Sequence, residues 1–242
     1  IRRKKELNQL KGGEYTVKTI VTTELIKDIA EKNHIICYDV YTGFKWIADI
    51  IRKEGGEKFI GGGEESFGYM PGAFTRDKDG VSATSLMAEI AAWVKMQNKT
   101  LYSFLKEIYA KYGFSQERMI YIVRKGLSGA QEIKAMMEEL RHNTPKEINH
   151  SPVVLKKDYL SLEATNLQTG EKTHLDFETK SDVLQFFLAD GSKISVRPSG
   201  TEPKIKFYFE ARTQMKDIND YERAQQDANA RIDAIIKDLE LQ

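Results

Sequence analysis

Residues 15–40 read YTVKTIVTTELIKDIAEKNHIICYDV, a helical segment between two short runs that are rich in β-branched and aromatic residues. Such runs are typical of strands, and we expect strands at 15–20 and 35–40. A further helix and a third strand at 58–60 should follow. Strands and helices that alternate with short connections form parallel sheets. The first part of the chain is therefore predicted to be an α/β domain with a mostly parallel sheet and flanking helices.

Two more helices are predicted after a glycine-rich segment. Asp79 is interpreted as the N-cap of the first helix, and the second should begin at Thr100 and end at Gly113. Apolar residues recur at helical spacing in both segments, so one face of each helix is expected to be buried. These positions are Leu86, Ile90, Trp93 and Val94 in the first helix and Leu101, Phe104, Leu105 and Ile108 in the second.

The pattern changes near residue 115, where strand-like runs become more frequent than helices. We predict strands at 119–123, 159–164, 183–188, 193–196 and 204–209. A helix should begin at a capping box formed by Ser128 and Gln131, and a long amphipathic helix should run from Tyr221 to Leu239. Strands grouped together with flanking helices predict a smaller α+β domain. The predicted domains are 1–114 and 115–242.

The composition excludes several classes of protein. Of 242 residues, 40% are hydrophobic and 30% are charged, which is typical of a globular protein. The 37 basic and 36 acidic residues give a formal net charge of +1, so we expect neither nucleic acid nor a membrane as a partner. The longest uncharged apolar run, 183–189, is far shorter than the roughly 20 residues of a membrane span. Cys37 is the single cysteine, which excludes an internal disulfide and favours a reducing, cytoplasmic compartment.

A glycine-rich segment, GGGEESFGY at 61–69, directly follows the third predicted strand. In open α/β sheets ligands bind beyond the carboxyl ends of the strands, so this is a suitable place for a site. Glycine lets the backbone approach a ligand closely. The carboxylate of Glu64 can accept from two vicinal hydroxyls and Ser66 adds a donor, a combination that suits a sugar. The alternative is a tight surface turn with solvated acidic side chains.

A second segment, RPSGTEPK at 197–204, lies between two predicted strands. An arginine fork, hydroxyl groups and a freely accessible glycine backbone are what a phosphate dianion needs. The alternative is an ordinary hairpin loop with two prolines. Lys78 could also reach an anionic ligand held at the strand ends, and its role stays open. We find no activated nucleophile and no aspartate cluster suited to magnesium.

Together, residues 63–68 (GEESFG) and 197–203 (RPSGTEP) resemble the motifs of the α-D-phosphohexomutase superfamily of phosphoglucomutases and phosphomannomutases. The resemblance extends to 42–45 (TGFK) and 76–80 (RDKDG) and covers essentially the whole chain. It implies that sugar hydroxyls and a distal phosphate bind to separate sets of residues. The sugar set is Glu64, Ser66, Lys78, Thr42 and Gly43, and the phosphate set is Arg197, Ser199, Gly200 and Thr201.

Members of that superfamily have four domains, and the resemblance implies that this chain is the third, sugar-binding domain with its N-terminal part missing, followed by the fourth, phosphate-binding domain. The chain begins at Ile1 with residues that resemble the last turns of a helix, so we expect a fragment. The family's serine phosphorylation loop and magnesium loop belong to the first two domains. We therefore expect no catalytic or metal-binding residues here, with Mg²⁺ bound outside this chain.

The resemblance implies a function for the parent protein rather than for this chain alone. We expect a phosphoglucomutase that interconverts glucose 1-phosphate and glucose 6-phosphate through a phosphoserine enzyme and a hexose bisphosphate. The expected partners are hexose phosphate, hexose bisphosphate and the N-terminal domains of the same polypeptide, and the fragment alone should be inactive. A phosphomannomutase and a non-catalytic phosphosugar-binding module are the alternatives. The preferred epimer and the oligomeric state stay open.

Overall fold

The computed structural model describes residues 1–66, 68–124, 126–200 and 202–241. The chain divides into two compact units, Ile1–Gly113 with Lys216–Ile218, and Phe114–Met215 with the chain from Asn219 onward. This division falls next to the boundary that the sequence analysis places after residue 114. The second unit is similar in length to the first rather than smaller.

The first unit contains a four-stranded sheet. Its elements are α1 (Arg2–Glu6), β1 (Tyr15–Thr19), α2 (Leu25–Glu31), β2 (Ile36–Val40), α3 (Phe44–Glu54), β3 (Phe59–Gly63), β4 (Tyr69–Met70), α4 (Gly80–Lys95) and α5 (Leu101–Tyr112). The strand order is β2-β1-β3-β4. The pairs β1–β2 and β1–β3 are parallel, and β4 forms an antiparallel hairpin with β3. The mostly parallel α/β domain is confirmed.

The sequence analysis places the glycine-rich segment after the third strand, which is wrong for residues 61–63, because they belong to strand β3. A Cβ atom on Gly62 would lie 2.5 Å from the carbonyl oxygen of Val17 on β1, and one on Gly61 would lie 2.5 Å from the hydroxyl of Tyr69. Because the carbonyl group of Val17 leaves no space for a side chain at position 62, Gly62 is required for the close approach of β1 and β3. The connection between β3 and β4 is therefore residues 64–68, called here the 64–68 loop.

One core of the first unit lies between the sheet and α3. Phe44, Ile47 and Ile51 recur every three or four residues on one face of α3, as expected for an amphipathic helix. They pack in one buried cluster with Tyr15 and Phe59 of the sheet, whose ring centroids are 5.5 Å apart. Burial of these side chains holds α3 against the sheet, with its N-terminus beside the carboxyl edge of the sheet.

Helices α4 and α5 are less buried than their sequences predict. Only Val94 of the eight predicted core positions is buried, and Leu101 and Leu105 are 41% and 37% exposed. Four of the other seven positions, Ile90, Trp93, Phe104 and Ile108, line a cavity of about 630 Å³ between these helices, α2 and the sheet. Its apolar wall includes Ile26, Ile29, Ile60, Ile90, Trp93, Phe104 and Ile108. Periodicity marked the apolar face correctly, but side chains that line a cavity keep part of their exposure.

The predicted start of α4 and both predicted ends of α5 are confirmed by their caps. The carboxylate of Asp79 accepts hydrogen bonds from the backbone N–H groups of Val81 and Ser82, at 3.1 and 3.2 Å. Thr100 and Ser103 form a reciprocal capping box at the start of α5, and Gly113 ends it. These side chains satisfy N–H groups that have no partner inside the helix.

The second unit is an antiparallel sheet with two helices. Its elements are β5 (Phe114–Val123), α6 (Gly126–His142), β6 (Glu147–Ile148), β7 (Ser151–Asp158), β8 (Glu163–Asn166), β9 (Lys172–His174), β10 (Leu184–Leu188), β11 (Lys193–Pro198), β12 (Lys204–Thr213) and α7 (Tyr221–Asp238). The strand order is β5-β12-β11-β10-β7-β8-β9, and β6 pairs with β7. The α+β class is confirmed.

Two local predictions for the second unit are wrong. Residues 159–162 form a turn instead of a strand, because Leu162 has a φ of 60°, which is outside the extended range of a strand. Tyr159 is a buried core side chain whose hydroxyl donates to Gln185 Oε1 at 2.8 Å. Helix α6 begins at Gly126, so Ser128 lies inside its first turn and is not a capping residue. The C-terminal helix is as predicted from its spacing. Its buried residues are Tyr221, Ala224, Ala228, Ile232, Ile235 and Ile236.

Candidate functional site

Three connections meet at the carboxyl edge of the parallel sheet in the first unit, because β1, β2 and β3 all run in the same direction. They are the turn at 20–24 after β1, the turn at 41–43 after β2 and the 64–68 loop after β3. The loop is closed by a hydrogen bond from the Glu64 N–H to the carbonyl oxygen of Gly68, at 3.0 Å. This edge is where ligands bind in open α/β sheets.

The structure places Glu64 against the turn that contains Thr42 and Gly43. The backbone N–H of Gly43 donates to Glu64 Oε1 at 2.5 Å. Gly43 has a φ of 124°, a conformation that favours glycine, and it precedes the first residue of α3. A carboxylate at the N-terminus of a helix is stabilised by the helix dipole. Residues 42, 43 and 64 of the predicted sugar set are therefore brought together.

Lys78 reaches the same edge through Phe44, the first residue of α3. Its ammonium nitrogen lies 5.4 Å from the centroid of the Phe44 ring and 3.3 Å from Asp77 Oδ1. Gly68 packs directly against the Phe44 ring, and a Cβ atom at Gly68 would overlap that ring. Hydrogen bonds from the backbone and side chain of Lys78 lower the pKa of Asp77. Ser66 lies exposed in the 64–68 loop.

Glu65 was not singled out by the sequence analysis. Its Oε2 atom accepts a hydrogen bond from the hydroxyl of Thr19 at 3.2 Å, and the hydroxyl of Thr22 lies 3.5 Å away. Thr19 and Thr22 are buried, and their hydroxyl oxygens are 2.8 Å apart. A pair of threonines after a strand that ends beside an acidic loop is the signal that could have found this contact.

The second predicted segment connects β11 to β12, and residues 199–203 are called here the 199–203 loop. The backbone N–H of Ser199 donates to the carbonyl oxygen of Lys204 at 2.8 Å, and Arg124 N–H donates to that of Pro203 at 2.9 Å. Ser199 is half-buried and Gly200 is exposed. Thr201 lies outside the described residues. The loop is thus a hairpin whose ends are held by main-chain contacts.

Arg197 and Lys204 stand at the two sides of this loop and differ in their partners. The ammonium nitrogen of Lys204 is 2.5 Å from Glu202 Oε2 and 5.5 Å from the centroid of the Tyr121 ring. Within the part of the chain that the structure describes, no side chain pairs with the guanidinium of the half-buried Arg197. A guanidinium without a local counter-ion is suited to bind an anion through two parallel hydrogen bonds.

The described residues contain neither a cluster of metal-ligating side chains nor a membrane-spanning helix. No group of three or more His, Cys, Asp or Glu side chains in 1–66, 68–124, 126–200 and 202–241 could hold a metal ion. Among the same residues, no helix combines the length and the apolar character needed to cross a membrane.

Comparison with known families covers most of the chain. Residues 1–112 match a family model described as phosphoglucomutase/phosphomannomutase, alpha/beta/alpha domain III. Residues 132–234 match the phosphoglucomutase/phosphomannomutase C-terminal domain. This chain belongs to the phosphoglucomutase/phosphomannomutase family. Both predicted site segments lie inside the matched residues of this family, one in each domain.

Curated relatives in the family carry the name phosphoglucomutase. The protein from Staphylococcus aureus strain MRSA252 is 36% identical over 193 residues, which are 79% of this chain and 35% of the relative. The protein from Staphylococcus haemolyticus strain JCSC1435 is 31% identical over 223 residues, which are 92% of this chain and 39% of the relative. The chain therefore spans little more than a third of the length of these relatives.

Solved structures of the family support the fold. The exocytosis-sensitive phosphoprotein pp63/parafusin of Paramecium, a phosphoglucomutase, aligns with a TM-score of 0.58 at 18% identity over 84% of this chain and 33% of its own. A Thermus thermophilus protein described as a phosphomannomutase aligns with a TM-score of 0.57 at 16% identity over 98% of this chain and 37% of its own. At these identities the likeness confirms the fold class alone.

Proposed function

We propose that this chain supplies the sugar-binding and distal phosphate-binding contacts of a phosphohexomutase, with glucose 1-phosphate and glucose 6-phosphate as the substrates of the whole enzyme. The observation that supports it most is the pairing of two arrangements in one chain. One is the carboxylate of Glu64 held by Gly43 at the carboxyl edge of a parallel sheet, and the other is Arg197 without a described counter-ion beside a hairpin loop.

The chemistry of a mutase requires contacts of these two kinds. Phosphate moves between the 1- and 6-positions of the hexose through a bisphosphate that must turn end over end. Carboxylate oxygens of Glu64 can accept from hydroxyls of the sugar in either orientation. The guanidinium of Arg197 can hold whichever phosphate is not being transferred, and that binding energy positions the other end for reaction. Lys78 adds a positive charge beside the sugar contacts.

We assign the phosphorylated serine and the Mg²⁺ ion of the reaction to other domains of the same polypeptide. The described residues do not fit Mg²⁺, because they contain no metal-binding group of acidic or histidine side chains. The relatives are almost three times as long as the matched region, which leaves room for such domains. This chain alone should therefore bind hexose phosphate without isomerising it. Measurable conversion of glucose 1-phosphate by the chain alone would contradict this division of roles.

A titration of the isotope-labelled chain with glucose 6-phosphate tests the proposal by NMR. We expect backbone amide shifts at residues 43 and 64–66 and at 197–200, with inorganic phosphate shifting only the second group. Mannose 6-phosphate is the matched comparison, and weaker binding than glucose 6-phosphate would support the glucose assignment that the names of the relatives favour. Tighter binding of the mannose ester would favour phosphomannomutase. Shifts confined to other surfaces would overturn the proposal.

A further inference from the structure

Glu65, the residue next to the proposed sugar contact Glu64, accepts a hydrogen bond of its own. Glu64 bonds to the turn after β2, whereas Glu65 bonds to Thr19 at the end of β1. Adjacent carboxylates of one loop are thus attached to the ends of two different strands. We call Thr19, Thr22 and Glu65 the threonine latch.

The donors of the threonine latch are held firmly by the sheet. Thr19 is the last residue of β1 and is fully buried. The next residue, Ile20, donates its N–H to the carbonyl oxygen of Val40 on β2 at 2.8 Å. The N–H of Thr22 donates back to the carbonyl oxygen of Thr19 at 3.0 Å, which closes the turn. The two hydroxyls are therefore fixed by main-chain hydrogen bonds on both sides.

The number of hydrogens in the two hydroxyls limits how the threonine latch can bond. A threonine hydroxyl has one hydrogen to donate and can accept at the same time. In the 2.8 Å contact either hydroxyl can donate to the other, and the one that accepts can donate its own hydrogen to Glu65, at 3.2 Å from Thr19 or 3.5 Å from Thr22. The result is a chain of two hydrogen bonds that ends on the carboxylate. Such chains are strengthened by mutual polarisation, and a charged acceptor strengthens them further.

We propose that Glu65 is a positioning residue of the sugar site, and that the threonine latch holds the 64–68 loop so that Glu64 meets the hydroxyls of the hexose. This inference rests on the proposed function of Glu64. The latch contacts no substrate and acts by ordering the loop before binding, which reduces the entropy lost when the sugar binds.

The expected effect is moderate and confined to sugar binding. Because the latch acts on the loop and not on the sugar, only part of the strength of a charged hydrogen bond should be lost, and we expect the dissociation constant for glucose 6-phosphate to rise about fivefold to tenfold. Binding of inorganic phosphate, which we place at Arg197 in the other unit, should be unchanged. A merely structural role of the latch would change neither dissociation constant in the folded protein.

The experiment measures both dissociation constants by calorimetry for two latch-breaking variants and two conservative ones. Thr19→Val and Glu65→Ala should each weaken glucose 6-phosphate binding about fivefold. Thr19→Ser and Glu65→Gln keep a donor and an acceptor and should bind within about twofold of the parent chain. Glu65 is exposed, so its variants keep the inference testable if Thr19→Val does not fold.

Two outcomes separate this inference from the proposed function. If Glu64→Ala weakens glucose 6-phosphate binding while Glu65→Ala and Thr19→Val bind like the parent chain, the positioning role is wrong and the sugar site stands. If the parent chain does not bind glucose 6-phosphate at all, the proposed function is wrong, and the inference is overturned with it.

Discussion

The 64–68 loop and the 199–203 loop are held in place in different ways. In the first, Glu64 and Glu65 bond to the ends of two other strands through their side chains. In the second, the ends are held by main-chain hydrogen bonds, and the described partners leave Arg197 without a counter-ion. The acidic groups of the first loop are therefore held in position by hydrogen bonds, whereas the positive charge of Arg197 beside the second loop is available to bind an anion.

This difference matches what each loop is proposed to bind. Hydroxyl groups are recognised by the direction of hydrogen bonds, which weaken steeply with misalignment, so a sugar site gains from rigid acceptors. An anion is attracted over a longer distance, and a guanidinium can adjust to it. Four experiments test this difference between the loops.

Gly62→Ala should have the largest effect, because the new Cβ atom would lie 2.5 Å from the carbonyl oxygen of Val17. The strands must separate, and we expect the free energy of unfolding to fall by about 2–3 kcal/mol. Gly80→Ala is the matched control, since no atom lies within 4 Å of the added Cβ, and it should change stability by less than about 0.5 kcal/mol. Urea unfolding is followed by the fluorescence of Trp46 and Trp93, both in the first unit. Equal stability of the two variants would contradict the close approach of β1 and β3.

Arg197→Ala should weaken inorganic phosphate binding about tenfold, which is about 1.4 kcal/mol. Arg197→Lys keeps the charge without the planar fork, and its phosphate affinity should lie between those of the parent chain and Arg197→Ala. Arg223→Ala removes a cation from α7 that is paired with Asp220, so calorimetry should show no change for this control. An unchanged affinity in Arg197→Ala would remove this residue from the phosphate site.

Alkaline pH should destabilise the first unit in particular. Burial raises the pKa of the Cys37 thiol, and of the Tyr15 and Tyr41 hydroxyls, each to about 12. Above about pH 9 the unfolded chain loses these protons first, so the folded state holds more protons and its stability falls as pH rises. We expect a loss of about 1 kcal/mol for each pH unit from Cys37. Cys37→Ala should move the start of the decline in the tryptophan-detected unfolding midpoint to about pH 10, where the tyrosines begin to titrate. An identical decline in both proteins would show that the thiol is not responsible.

Added salt should have the smallest of the four effects, and it should weaken the phosphate contact rather than the sugar contact. Between about 20 and 300 mM NaCl, screening should weaken inorganic phosphate binding a few-fold, because Arg197 is partly exposed. The ratio of the dissociation constants of glucose 6-phosphate and inorganic phosphate should stay constant, since the sugar adds hydrogen bonds without net charge. A ratio that changes with salt would indicate that the sugar contacts are mainly electrostatic.

Regular patterns made most of the fold predictable. The spacing of Phe44, Ile47 and Ile51 and that of the apolar residues in α7 mark helix faces that are buried as expected. The glycine run 61–63 was misassigned because glycine usually indicates a loop, and the approach of β1 that requires glycine is a tertiary contact. For the same reason, spacing did not predict the cavity beside Trp93, because it does not tell what covers an apolar face.

The candidate site was predictable in its residue types but not in its connections. The acidic loop and the arginine segment carry recognisable chemistry, and their positions at strand ends follow from the order of elements. The contacts of Glu64 with Gly43 and of Glu65 with Thr19 join residues far apart in the chain. Such contacts depend on the register of β1, β2 and β3, which no local pattern determines.

The absence of side chains at Gly61–Gly63 affects which sequence changes the site can tolerate. Main-chain atoms occupy the space of a side chain at two of these positions, the Val17 carbonyl oxygen at Gly62 and the Gly68 carbonyl oxygen at Gly63, so a side chain at either would displace the base of the acidic loop. Exchanges among the aliphatic residues under α3 can alter local volume without displacing that loop. A replacement of Gly62 or Gly63 displaces it directly, so we expect sequence change to be tolerated far less at these two positions.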